Sequence, residues 1–252
     1  MNPRLVLRNL QGIGVQASFI IARYTKIYSI LSIATSMLFS SLLILVLIPS
    51  GLEAVFAVGI LIMLAYLAGT IQLAISLASE LESGETILYL STPLSRLAYV
   101  ASWILSALIL TVGLFLMAII VPAIAIDPGL VSQGSFLGMT FALSGEILYY
   151  ISALTLVSIV SKRRSIVQAA AFALFILGPI IVFIGVLIYD SIAAGGVDEE
   201  SLVKAISIFH PVILSITSGG GFLFNRSVVY SVVSSAIIIA SSIYYTIRRF
   251  EV

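Results

Sequence analysis

The sequence predicts an all-α, polytopic membrane protein: six transmembrane helices, an N-terminal amphipathic elbow helix and one short helix on the cytoplasmic side. Three observations carry that expectation. Of 252 residues, 61% are apolar and only 9% are charged, where a soluble domain carries roughly a quarter charged residues. Several apolar runs are long enough to cross a hydrocarbon core of about 30 Å. The basic residues then fall on one side of the resulting plan.

The chain reads as one transmembrane domain over 1–252. Residues 3–25 suit an elbow lying in the interface. Asn2 can cap it and Pro3 can take its first helical position. Val6, Leu10, Ile13, Ala17 and Ile20 recur at helical spacing, while Arg4, Arg8 and Gln11 share another face. The first span is read over 27–48, closed by the turn Pro49-Ser50-Gly51. The second runs over 54–79. Residues 80–96, ELESGETILYLSTPLSR, are too polar for hydrocarbon. Their Leu81, Ile87, Leu88, Leu90 and Leu94 suit a short surface helix that Pro93 ends or bends.

The third span is read over 97–121. Residues 122–134, with two prolines and two glycines, read as a loop. The fourth span is read over about 140–161, with its start open between Ser135 and Leu143, and stops before Lys162-Arg163-Arg164; the fifth covers 166–188. Residues 189–226 form an outer segment. Within it Asp198 can cap a short helix carrying Leu202, Ala205, Ile206 and Phe209, stopped by Pro211. The sixth span covers 228–247 and is closed by Arg248-Arg249.

Six spans put both termini on one side, together with Arg4, Arg8, Arg23, Lys26, Arg96, Lys162, Arg163, Arg164, Arg248 and Arg249. Only Lys204 and Arg226 fall on the other. The termini and residues 80–96 are therefore expected in the cytoplasm.

Composition also excludes chemistries. A net charge of +1 gives no nucleic-acid signal. With no Cys there is neither a thiolate metal site nor a cysteine nucleophile, and a single His, His210, nearly excludes a histidine metal site. None of the three lysines follows a Gly, so the chain has no phosphate-binding loop of its own. A serine protease needs a base beside its nucleophile, but His210, the only His, is placed outside the bilayer beside Pro211 and reads as a polar residue at a helix end.

Glu146 is the one acid expected within a span, about 22 Å from Ser161 at 1.5 Å per residue. An ionisable group at that depth points to a polar site. The structural alternative, favoured because no span offers a basic partner, is a Glu bonded to Tyr149, Tyr150 or a serine, or reaching outward to water. Serines recur on one face of three spans: Ser29, Ser32, Ser36 and Ser40; Ser76 and Ser79 with Gly69 and Gln72; and Ser231, Ser234 and Ser241. Such faces either pack helices closely or line a polar path. Gly134-x-x-x-Gly138 is a weak packing motif of the same kind.

The wording of residues 80–96 carries a resemblance. Glu80-x-Glu82-x-Gly84, followed by Leu90-Ser91-Thr92-Pro93-Leu94-Ser95-Arg96, resembles the membrane subunits of type-two ABC exporters. The departures are local: Leu81 stands where Arg is common, Glu85-Thr86 replaces Thr-Leu, and Ile87 replaces an acid. The resemblance implies a permease that is not itself an enzyme. It would pair with a second copy or a homologue, reside in the cell membrane, and couple to a separate P-loop ATPase that holds the ATP and magnesium. Glu80, Glu82, Gly84, Pro93, Ser95 and Arg96 would then belong to the coupling helix. The competing reading is a passive channel, scaffold or assembly component with no energy source.

Overall fold

The computed structural model describes residues 3–46, 51–84, 96–178, 180–181, 184–185, 204–215 and 223–249, and these form helices and turns with no strand among them. The first helix, α1, runs over Pro3–Val46. The elbow expected over 3–25 and the span expected from 27 are thus one uninterrupted helix. No proline breaks it after Pro3, and Thr35, Ser40 and Ser41 return their hydroxyl protons to the carbonyls of Leu31, Ser36 and Met37 one turn back.

Helix α2 covers Gly51–Ser83. Glu80 and Glu82 therefore form its last turn, where a separate surface helix was expected to begin. The stop comes at Gly84, whose φ of 74° is left-handed, a conformation that glycine adopts without penalty at a helix C-terminus. Residues 85–95, which hold Pro93 and Ser95, lie outside the described residues.

Helix α3 covers Arg96–Ile126, with a π-helical stretch at Leu108–Gly113. It runs through Pro122 and past the expected end at Val121. What reads as a loop over 122–134 is mostly helical. Asp127 accepts from the Gly129 N–H at 2.8 Å and caps a short helix, α4, over Pro128–Ser132. Asp at the cap followed by Pro at the first helical position is a start signal. Helix α5 then begins at Gly134, six residues before the expected start, and runs to Ser161. Lys162, at φ 52°, ends it. Helix α6 covers Arg164–Leu177, its last turn π-helical from Ala173. Residues 204–207 are helical and Pro211–Ser215 form a 3-10 turn; the start of the short helix expected from Asp198, up to residue 203, lies outside the described residues. The last helix, α7, covers Phe224–Arg249.

Among the described residues, α1, α2, α3, α5 and α7 are long and apolar enough to cross a membrane, while α6 is shorter. Helix α5 is the most buried of the five and packs on α2, α6 and α7. Its contact with α7 is close and parallel. A Cβ added at Gly138 would lie 3.1 Å from Phe224, and seven residues on one added at Gly145 would lie 3.0 Å from Ser231. The other half of the expected motif, Gly134, faces open space. Tyr28 of α1 lies over Gly69 of α2 and donates to its carbonyl at 2.6 Å. Tyr24 meets Trp103 of α3 at 6.1 Å between ring centres. In the bundle centre Tyr66 and Phe115 meet edge to face at 5.5 Å.

The serine faces differ from expectation. The buried line of α7 is Ser227, Ser231, Ser235, Ser242 and Thr246, sharing only Ser231 with the expected stripe. Steps of four and seven follow a close-packed seam along a helix better than a step of three. Ser29, Ser32, Ser36 and Ser40 of α1 are only partly buried.

Candidate functional site

Two polar constellations stand out in this apolar bundle. The first lies at the end where α2 stops, α3 and α6 start and α5 ends. Glu80 is 7% exposed. Its Oε1 accepts from the Arg23 guanidinium at 2.9 Å and its Oε2 from the Tyr99 hydroxyl at 3.0 Å. One carboxylate thus ties α1, α2 and α3 together. Its burial is tolerable because both oxygens are bonded. Glu82, two residues on, points to another neighbour: its Oε2 accepts from the backbone N–H of Arg164 at 3.1 Å. It supplies negative charge and an acceptor at the start of α6, where unpaired N–H groups gather. Gly84 ends α2 beside them, and Arg96 is the first residue of α3.

Glu80, Glu82, Gly84 and Arg96 therefore bracket the segment 85–95. Glu80 and Glu82 already have internal partners, and Pro93 and Ser95 fall outside the described residues. Sequence reading missed Arg23, Tyr99 and the Arg164 amide as those partners. Periodicity along one helix carries no information about contacts 57 or 82 positions away.

The second constellation surrounds Glu146. Because α5 starts at Gly134, Glu146 lies about 18 Å from one end of the helix and about 22 Å from the other, close to its middle. Its side chain is fully buried. Oε1 lies 2.7 Å from His210 Nδ1, and Oε2 accepts from the Val212 N–H at 2.9 Å. His210 Nε2 lies 3.1 Å from the carbonyl oxygen of Phe175, in the π-helical turn of α6. A carbonyl only accepts, so Nε2 carries a proton and donates it. Tyr150 donates to the neighbouring Leu174 carbonyl at 3.4 Å. π-helical turns interrupt the regular backbone ladder. Here the turn presents two carbonyls to side chains of a neighbouring helix and segment.

The sequence reading placed His210 outside the bilayer and gave Glu146 no basic partner; the structure pairs them. The available signal was that the only His and the only acid within a span stand in one chain. Around the pair, residues 208–215 are fastened from three sides. Tyr149 of α5 donates to the Ile208 carbonyl at 2.8 Å. Ser227 of α7 donates to the Pro211 carbonyl at 2.8 Å. The Phe209 ring presses on Gly178, where an added Cβ would collide with it. This segment, read as part of an outer stretch, therefore reaches the middle of α5. Non-helical backbone at such depth is tolerated where its polar groups are bonded within protein, as those of His210, Pro211 and Val212 are.

No group of three or more His, Asp or Glu side chains among the described residues could hold a metal ion. Compared with known protein families and with curated proteins, the chain matches none. Fold and site define a class: a multi-pass membrane protein, helical throughout its described residues, with a buried Glu–His pair inside the bundle.

Proposed function

We propose that this chain is the permease subunit of an ATP-driven ABC exporter. It pairs with a second copy or a homologue to form the translocation path and couples to a separate P-loop ATPase through residues 80–96. The observation that carries the reading is the exporter-like wording from Glu80 to Arg96. The arrangement of its ends supports it. Glu80 and Glu82 anchor the start of the segment to α1, α3 and α6, so a push on the segment is delivered to four helices at once. Six crossings with cytoplasmic termini also belong to this reading. The parallel run of α5 and α7 supports them, since the chain must return across the membrane between two parallel spans.

The test is co-expression with the product of any neighbouring reading frame that encodes a P-loop ATPase, followed by co-purification and ATP turnover in liposomes. Assembly with the unmodified chain and reduced assembly or uncoupled turnover with Glu82→Ala plus Arg96→Ala are expected. Glu82→Gln alone, which keeps an acceptor for the Arg164 amide, separates docking from internal capping. Full assembly and stimulated turnover in the double variant would remove these two residues from the coupling contact. Absence of any ATPase association with the unmodified chain would move the passive-component reading ahead.

A further inference from the structure

We propose that Glu146 and His210 form a one-proton latch, in which a single shared proton holds the segment 208–215 inside the bundle and its loss lets the segment loosen. The inference follows from counting donors and acceptors, and it stands whether or not the chain is an exporter subunit.

Three bonds meet at the pair. Nε2 donates to the Phe175 carbonyl, the Val212 N–H donates to Oε2, and Nδ1 and Oε1 stand 2.7 Å apart. One proton between Nδ1 and Oε1 completes the set, whichever atom holds it. Without that proton a fully buried carboxylate oxygen faces an imidazole lone pair, two acceptors at contact distance, while only the His210 side of the pair is partly exposed and offers the proton a way out. With a second proton, a protonated carboxyl and an imidazolium share one site and the pair is no longer neutral. Only the singly protonated pair satisfies every bond. The atoms balance simply: on release the proton passes to water, and no other bond is made or broken.

The latch sits where it can control something. His210 joins the segment to α5 and to α6, and the Glu146–Val212 bond joins it to α5 again. The other titratable side chains nearby are Tyr149 and Tyr150 of α5, the latter with its hydroxyl 3.5 Å from Nδ1, and Tyr230 of α7 beside Tyr149. From α6 the partners are the backbone carbonyls of Leu174 and Phe175.

One substitution separates a proton latch from a merely structural contact. In Glu146→Gln the amide can donate to a neutral Nδ1 while its oxygen accepts from Val212, so all three bonds survive with no titrating carboxyl. The test is hydrogen–deuterium exchange of the peptide spanning 206–215, in full-length protein in lipid nanodiscs, between about pH 5 and pH 10, a range that brackets ordinary His titration. Rates are corrected for the intrinsic pH dependence of amide exchange. In the unmodified chain protection should fall about tenfold or more toward alkaline pH. In Glu146→Gln it should stay high and flat, and in Glu146→Ala it should be low throughout. A flat profile in the unmodified chain overturns the proposal. So does the same alkaline loss in Glu146→Gln, which would assign the change to Tyr150 or to another group. Both decisive profiles come from chains of equal shape, so the proposal remains falsifiable if Glu146→Ala fails to fold.

Discussion

Arg23 and Glu80 stand 57 positions apart in the chain and 2.9 Å apart in space, one half exposed and the other almost wholly buried. The pair is asymmetric: water can reach the guanidinium, while the carboxylate depends on Arg23 and Tyr99. Arg23→Ala is expected to cost about 1–2 kcal/mol, less than a fully buried pair because Arg23 is solvated. Tyr99→Phe should cost about 1 kcal/mol. A double-mutant cycle on Arg23 and Glu80, read from denaturant unfolding in mixed micelles, should show clear coupling. Coupling near zero would reduce the pair to an incidental contact.

Helix packing supplies a comparison along one helix face. Gly145→Ala puts a Cβ 3.0 Å from both side-chain atoms of Ser231, so α5 and α7 must separate slightly, and a loss of about 1–3 kcal/mol is expected. Gly134→Ala meets nothing within 4 Å and should be neutral or slightly stabilising, because alanine favours a helix. Thermal unfolding of both variants in the same detergent checks the order. If Gly134→Ala proves the more damaging, the α5–α7 register is wrong.

Glu82 caps a helix to which it has no near sequence connection. Glu82→Ala should speed amide exchange in the first turn of α6, starting at Arg164, at a cost of about 0.5–1 kcal/mol for an exposed anion at a helix N-terminus. Exchange elsewhere in α5 and α7 should not change. Unaltered exchange at Arg164 would mean that the carboxylate contributes nothing there.

The parallel packing of α5 and α7 makes a topological prediction that the absence of cysteine renders clean. Single cysteines at the exposed positions Ser132 and Asn225 should react with an impermeant maleimide from the same side of the membrane, and those at Ser83 and Ser165 from the other. Basic asymmetry further expects Ser132 and Asn225 outside. Labelling of Asn225→Cys together with Ser165→Cys would show that the chain does not cross between α5 and α7.

Five of the six expected spans were legible because apolar length is a property of the local sequence; the fifth, expected over 166–188, is matched among the described residues only by the shorter α6. The end of α2 was legible too, once Gly84 is read as the first residue able to stop it. The sequence reading instead weighed polarity above helix termination and detached Glu80 from the helix it completes. The Asp127-Pro128-Gly129 start signal was likewise read only as a loop. The Glu146–His210 pair was illegible for a different reason. Its members are 64 positions apart and brought together by a segment that folds back into the bundle. Hydropathy assigned that segment to the outside because its polar atoms are counted as if water had to satisfy them. The serine seam of α7 was half legible: the right residue type on the right helix, at a period that favoured exposed Ser241 over buried Ser242.

Trp103 is the single tryptophan, 2% exposed, lodged where α1 meets α3 within 6.1 Å of Tyr24. The protein therefore carries its own optical gauge of that junction. Its fluorescence should be blue-shifted while the contact holds and should move to the red when α1 parts from α3 and admits water to the indole. It should also take up excitation energy from Tyr24 at such short range. Any ligand, nucleotide-driven partner or change of lipid that displaces α1 can thus be followed by emission alone, with no attached label and no background from a second tryptophan.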